Sequence, residues 1–203
     1  MSTHIKICGI TNLPDAQLAA ELGADMLGFV FYAKSPRAVR LEVAAEIGRL
    51  VTVEKVGVFV NETEANIWRV VEECHLDAIQ FHGDESPEFC RRFAAKKIKA
   101  IRMRDEASLL AVAEYDVDAL LLDTYTACQR GGTGKPFDWS LAVEAKRFGR
   151  PVILSGGLNP DNVCEAIRKA QPHAVDAASG LESAPGKKDP EKLRRFIELA
   201  KAA

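Results

Sequence analysis

Short runs in which apolar and polar residues alternate recur along the chain, and each is followed by a stretch whose apolar positions fall three or four apart. The period-two runs, rich in Ile, Val, Leu and Phe, predict strands at 5–10, 26–31, 55–60, 77–82, 97–103, 118–124, 151–156 and 174–179. The segments between them read as amphipathic helices with their own start and stop signals. Asn12 is placed to cap a helix that runs through DAQLAAEL and stops near Gly23. Glu64 follows Asn61 at capping-box spacing, and Asn159 and Asp189 each stand directly before a first-turn proline. In the last segment Leu193, Phe196, Ile197 and Ala200 share one helical face.

Strands that alternate with helices argue for a parallel sheet, because each parallel connection needs a crossover. Eight such units predict an α/β fold closed into a (β/α)₈ TIM barrel, with residues 1–203 as a single domain. The alternative is an open doubly wound sheet. That fold would more often open on a GxGxxG turn after the first strand, where this chain has CGITN.

Composition narrows the function. With 47% apolar residues, 28% charged residues and a formal net charge of −2, the chain has the make-up of an ordinary soluble globular protein. No basic stripe supports nucleic-acid binding, and no apolar run is long enough to cross a bilayer. The N-terminus enters a strand directly, without the pattern of a signal peptide. Cys8, Cys74, Cys90, Cys128 and Cys164 are odd in number and lack CxxC spacing, which disfavours a disulfide framework or a zinc site and makes a reducing cytoplasm the expected setting.

In a barrel, function gathers on the loops after the strands' C-terminal ends. The loops after strands seven and eight, SGGLNPDN and ASGLESAPGKKD, carry Gly156, Gly157, Ser179 and Gly180, where backbone N–H groups can approach an anion. One glycine pair alone can be merely a tight turn. Two glycine turns on adjacent final strands favour a phosphate site. After strand six, GGTGK is not a P-loop, since Lys135 is followed by Pro136. Gly131, Gly132 and Gly134 are instead read as a mobile loop that closes over substrate.

Polar residues at strand ends are the candidates for chemistry. These are Cys8 on the first strand, Gln80 and His82 on the fourth, Asp123 on the sixth and Asp176 on the eighth, with Lys34 and Arg37 in the loop after the second. Each has a plainer reading. Cys8 could be a small core filler, His82 a satisfied rim histidine, Asp123 a loop cap and Arg37 a surface ion pair. The other cysteines read as structural, three in helical segments and Cys128 in the glycine loop.

The blocks KICGITN, GFVFYAKSPRAV, VGVFVN, IQFHGDE, LLLDTYTACQRGGTGKPFDW, ILSGGLNPDNV and VDAASGLESAPGKKD, in this order, resemble the phosphoribosylanthranilate isomerase family over essentially the whole length. The resemblance implies a (β/α)₈ barrel that uses neither metal nor cofactor and performs an Amadori rearrangement of a small phosphoribosyl substrate in tryptophan biosynthesis. It implies Cys8 as general base, Asp123 as general acid, and Arg37 as the contact for the anthranilate carboxylate. Gly156, Gly157, Ser179 and Gly180 would be the phosphate turns, and Asp176 an acidic group facing the site. Arg37, His82 and Asp176 are thus the candidate substrate contacts. Where relatives often carry two serines before the last glycine, this chain has Ala178 and Ser179. A monomer or a homodimer, with no nucleic-acid or membrane partner, is expected.

The chemistry asks for an acid at the furanose ring oxygen and a base at C2. An anionic substrate would raise the pKa of both Asp123 and Cys8, which helps the acid and hinders the thiolate. Lys6, two residues before Cys8 and on the same side of the strand, is the candidate for opposing that effect. Two rival readings use the same turns: another phosphosugar isomerase or epimerase barrel, and a non-catalytic phosphoribosyl-ligand sensor, which would need no Cys8/Asp123 pair.

Overall fold

The computed structural model describes residues 3–103, 107–124 and 139–203. Eight parallel strands pair in sequence order: β1 (His4–Cys8), β2 (Met26–Val30), β3 (Glu54–Phe59), β4 (Ala78–Phe81), β5 (Lys96–Met103), β6 (Ala119–Thr124), β7 (Val152–Leu154) and β8 (Ala174–Ala177). The first strand pairs with β8 as well as β2, in the register His4↔Ala174 and Lys6↔Met26, so the sheet closes. That closure removes the open-sheet alternative, and the expected TIM barrel is what the chain forms.

Around the barrel lie α1 (Leu13–Leu22), α2 (Leu41–Leu50), α3 (Glu64–Glu73), α4 (Pro87–Arg91), α5 (Ala107–Leu110), α6 (Ser140–Ala145), α7 (Val163–Ala170) and α8 (Pro190–Ala202). After β8 the chain adds an antiparallel pair, β9 (Glu182–Ala184) and β10 (Lys187–Lys188), before α8. None of the described helices is long and apolar enough to cross a membrane.

The period of two sorts the strand residues between two cores. Ile5, Ile7, Leu27, Phe59, Ile79, Leu120 and Leu122 point outward and pack under the helices. The face of α8 anticipated from spacing, Leu193, Phe196, Ile197 and Ala200, is buried in this layer. Each large side chain there contributes about 1.5–3 kcal/mol by leaving water. Met26, Val56, Ala78, Ile98, Ala119, Leu121, Ile153 and Ala174 point inward and fill the other core. Two residues further along the same strands, the inward positions become Gln80, Asp123, Ser155 and Asp176. The barrel is therefore plugged by hydrocarbon toward the strands' N-terminal ends and lined by polar groups toward their C-terminal ends.

A second period ties the strands in pairs. Asp25, Asp77 and Asp118 each stand immediately before an even-numbered strand. Their carboxylates accept the backbone N–H of Ile5, Lys55 and Lys97 on the preceding odd strand, at 2.7, 2.8 and 2.7 Å. Hydrogen bonds to a charged acceptor are the stronger kind, and these three fix strand register at the end opposite the polar face.

Two helix starts differ from expectation. The cap of α3 is Thr63, whose Oγ1 accepts from Asn66 N, and not Asn61. Asn61 has left-handed backbone (φ 51°), and its amide oxygen accepts from Asp84 N at 2.7 Å, so it braces the loop after β4. Likewise Asn159 does not cap α7. Its side chain accepts from Asp161 N in a turn that delays the helix to Val163. In both places an Asx side chain found a nearer loop N–H than the helix offered. Asn12, with Asp15 N, and Asp189, with Glu191 N and Lys192 N, cap α1 and α8 as anticipated, and Gly23 ends α1 in left-handed conformation.

Candidate active site

The polar strand ends and the loops beyond them enclose a cavity of about 400 Å³, large enough for a small-molecule ligand. It is lined by Cys8, Arg37, Gln80, His82, Asp123, Ser155, Gly156, Gly157, Asp176 and Ser179, among others. Nearly all the residues singled out in the sequence thus meet in one place. Lys34 and Gly180 do not: Lys34 is exposed, and neither residue is part of the lining. The expected mobile loop at Gly131, Gly132 and Gly134, and Cys128 with it, lies outside the described residues.

Cys8 ends β1 and is nearly buried. Burial pushes its thiol above the ordinary range. The Lys6 ammonium, which also hydrogen-bonds the thiol, and the Lys188 charge pull it down, while the Asp176 carboxylate reinforces the rise. Lys6 is wholly buried inside the barrel, and its Nζ lies 2.8 Å from Asp176 Oδ1. Burial alone would lower the Lys6 pKa, but attraction to Asp176 and Cys8 outweighs it and the ammonium is held above its usual value. Ser155 Oγ donates to the other Asp176 oxygen at 2.8 Å. Lys6 accordingly stands where the sequence suggested, beside the thiol, but it is shared with a carboxylate.

Across the cavity, His82 Nε2 lies 3.2 Å from Asp123 Oδ2, and Gln80 Nε2 lies 2.8 Å from His82 Nδ1. The two ring nitrogens thus tie the Gln80 amide on one side to the Asp123 carboxyl on the other. His82 therefore orients the Asp123 carboxyl rather than simply filling the rim. The Gln80 amide oxygen is buried and accepts no hydrogen bond from a described residue.

Gly156 and Gly157 both adopt positive φ, 91° and 70°, a path that side chains with a Cβ rarely follow. Their turn faces the second one, where Ser179–Leu181 form a single 3₁₀ turn. The two turns are in close contact: a Cβ at Gly180 would fall 2.1 Å from the Leu158 carbonyl oxygen. Arg37 Nε and Nη2 each donate to a Glu182 carboxylate oxygen at 2.8 Å.

Sequence reasoning missed three residues of this neighbourhood. Ser155 sits inside ILSGG and Glu182 and Lys188 inside LESAPGKKD, blocks read only for their glycines. The available signal was a carboxylate and a lysine flanking a Pro-Gly turn right after an active-face loop. Among the described residues Cys8, Cys74, Cys90 and Cys164 are free thiols.

Comparison with known proteins adds the following. The family model described as N-(5'-phosphoribosyl)anthranilate (PRA) isomerase matches residues 5–199. The N-(5'-phosphoribosyl)anthranilate isomerase of Citrifermentans bemidjiense is 51% identical over 201 residues, covering 98% of this chain and 97% of that protein. The crystal structure of phosphoribosyl anthranilate isomerase from Thermotoga maritima superposes with a TM-score of 0.91 at 44% identity, covering 99% of this chain and 100% of that one. A further phosphoribosyl anthranilate isomerase, solved in complex with reduced 1-(o-carboxyphenylamino)-1-deoxyribulose 5-phosphate, has a TM-score of 0.88 at 42% identity over 99% of this chain and 100% of that one.

Proposed function

The chain belongs to the N-(5'-phosphoribosyl)anthranilate isomerase family, and from that premise we propose that Cys8 and Asp123 carry out the isomerisation of N-(5'-phosphoribosyl)anthranilate, a step of tryptophan biosynthesis, as base and acid. One observation supports the reading above the others: a thiol and a carboxyl from different strands line one cavity whose rim also holds two glycine turns. The substrate has a phosphate at one end and an aromatic carboxylate at the other. The turns at Gly156–Gly157 and Ser179–Gly180 suit the phosphate, and Arg37 suits the carboxylate.

In the first step Asp123 gives its proton to the furanose ring oxygen. The C1–O bond breaks, and the nitrogen lone pair forms the C1=N bond of a protonated Schiff base. The Cys8 thiolate then takes the C2 proton. The C2–H pair becomes a C1=C2 bond, and the C=N pair returns to nitrogen, giving an enolamine. Ketonisation moves the C2 hydroxyl proton to C1, and the product is an isomer of the substrate with no net redox change; loss of the Cys8 proton to solvent and uptake of one by Asp123 reset the pair. His82 holds Asp123 through Nε2, while Lys6 opposes the effect of burial on the thiol.

Turnover is followed by the loss of anthranilate-type fluorescence from freshly prepared substrate. Cys8→Ser and Asp123→Asn are each expected to lower kcat by about 10²-fold or more, with the circular dichroism of the folded barrel retained. Normal turnover in Cys8→Ser would return the thiol to a packing role.

A further inference from the structure

The recognition arginine is built into a buried structure that the isomerisation itself does not explain. Glu182, at the start of β9, and Lys188, at the end of β10, have side chains 4% and 0% exposed, and their charged ends lie 3.4 Å apart. Charged side chains are rarely so buried without a task or a full set of partners. Lys188 has three partners for its three hydrogens: the carbonyl oxygens of Cys8 at 2.7 Å and Ala178 at 3.2 Å, and Glu182 Oε1. Burial lowers the Lys188 pKa, with the Glu182 charge opposing it. Burial likewise pushes the Glu182 carboxyl up, but hydrogen bonds from Arg37 and the Lys188 charge more than offset this, and it ends below its usual value.

The geometry at Arg37 is selective. A guanidinium has five N–H donors. Glu182 takes one from Nε and one from Nη2, both at 2.8 Å, on one edge of the plane. Of the three remaining hydrogens, one on Nη1 and one on Nη2 lie side by side on the Nη1–Nη2 edge, which can meet a second carboxylate in the same forked manner. Two cations against one carboxylate leave the group one net positive charge at the cavity wall, the charge a single aromatic carboxylate would neutralise.

The opening of the chain is shaped to receive this group. Gly9 (φ 76°) has no Cβ, and one placed there would fall 2.9 Å from Arg37 Cδ, so the arginine lies directly across the backbone after Cys8. Thr11 Oγ1 hydrogen-bonds the Gly186 carbonyl in the turn between β9 and β10, and Asp15 accepts from Lys188 N at 2.8 Å.

We infer that Glu182 and Lys188 are positioning residues that hold Arg37 with its free edge toward the substrate carboxylate, locked in register with the end of β1 that carries Cys8. Neither residue touches the reacting atoms. The inference rests on the assignment of Arg37 to the carboxylate and is independent of which groups move protons.

The test measures binding, so that it does not depend on chemistry. Three ligands are titrated calorimetrically: the reduced 1-(o-carboxyphenylamino)-1-deoxyribulose 5-phosphate, its counterpart lacking the ring carboxylate, and ribose 5-phosphate. The native protein is expected to bind the first more tightly than the second. Glu182→Gln is expected to weaken the first by about tenfold or more, the scale of a lost charged hydrogen bond, and to leave the other two within about twofold. Should Glu182→Gln fail to fold, Glu182→Gln/Lys188→Gln neutralises both buried charges together and takes the same measurement. A variant that weakens all three ligands alike, or one that keeps the native preference for the carboxylate, overturns the positioning role alone. No carboxylate preference in the native protein overturns the Arg37 assignment and the positioning role with it.

Discussion

Replacing Lys6 by methionine separates the electrostatic role of this residue from its bulk. The side chain is fully buried, and its ammonium is 2.8 Å from Asp176, which is itself almost buried. Methionine keeps most of the volume and removes the charge, leaving the Asp176 carboxylate with Ser155 Oγ as its remaining side-chain hydrogen-bond donor among the described residues. Removing one partner of a buried ion pair costs about 3–5 kcal/mol, most of it the uncompensated charge left behind. That is a large share of the ~5–15 kcal/mol that holds a typical domain together. Asp176→Asn should lose a similar amount. The double variant Lys6→Met/Asp176→Asn should lose clearly less than the sum, because neither charge is then stranded. Urea unfolding followed by far-ultraviolet circular dichroism measures all four corners of the cycle.

The Cys8 thiol provides a second readout with opposite signs. Lys6 pulls its pKa down and Asp176 pushes it up. Its titration midpoint should therefore rise in Lys6→Met and fall in Asp176→Asn, measured as the thiolate absorbance lost on a further Cys8→Ser change. Additive stability losses, or midpoints that move the same way in both variants, would refute the view that Lys6 divides its charge between the carboxylate and the thiol.

Two further outcomes are expected. Asp25→Ala removes the 2.7 Å hydrogen bond to Ile5 N at the end of the barrel opposite the cavity, and should cost about 1.5–3 kcal/mol in urea unfolding while kcat stays at the native value. At alkaline pH, burial has pushed the thiols of Cys74 and Cys90 up to about 11 from an ordinary 9.0. Between those values the unfolded chain gives up protons that the native chain retains, so stability should fall as pH rises through that window. The slope of the urea midpoint against pH should flatten when Cys90 is replaced by alanine; an unchanged slope would show that this thiol does not contribute.

The alternating pattern by itself determined a great deal. Eight period-two runs separated by amphipathic helices leave few ways to bury both faces of a parallel sheet, so the parallel β/α plan and its eight units followed from spacing, while the β1–β8 pairing decided between a closed barrel and an open sheet. The same alternation made Cys8, Gln80, Asp123 and Asp176 conspicuous, since each breaks an apolar face at the end where barrels keep their chemistry. Local caps were legible when the nearest N–H belonged to the helix, as at Asn12 and Asp189, and were misplaced at Asn61 and Asn159, where a loop competed for the same side chain.

What only the tertiary structure decided are the partners. Lys6 and Asp176 are 170 residues apart in the chain, Arg37 and Glu182 are 145 apart, and Cys8 and Lys188 are 180 apart. A local pattern records whether a side chain faces inward; it does not record which distant charge it will meet there. The closing contact between β1 and β8 brings the first and last strands together. That contact turns a lysine beside a cysteine, and a glutamate in a terminal hairpin, into the electrostatic frame of one cavity.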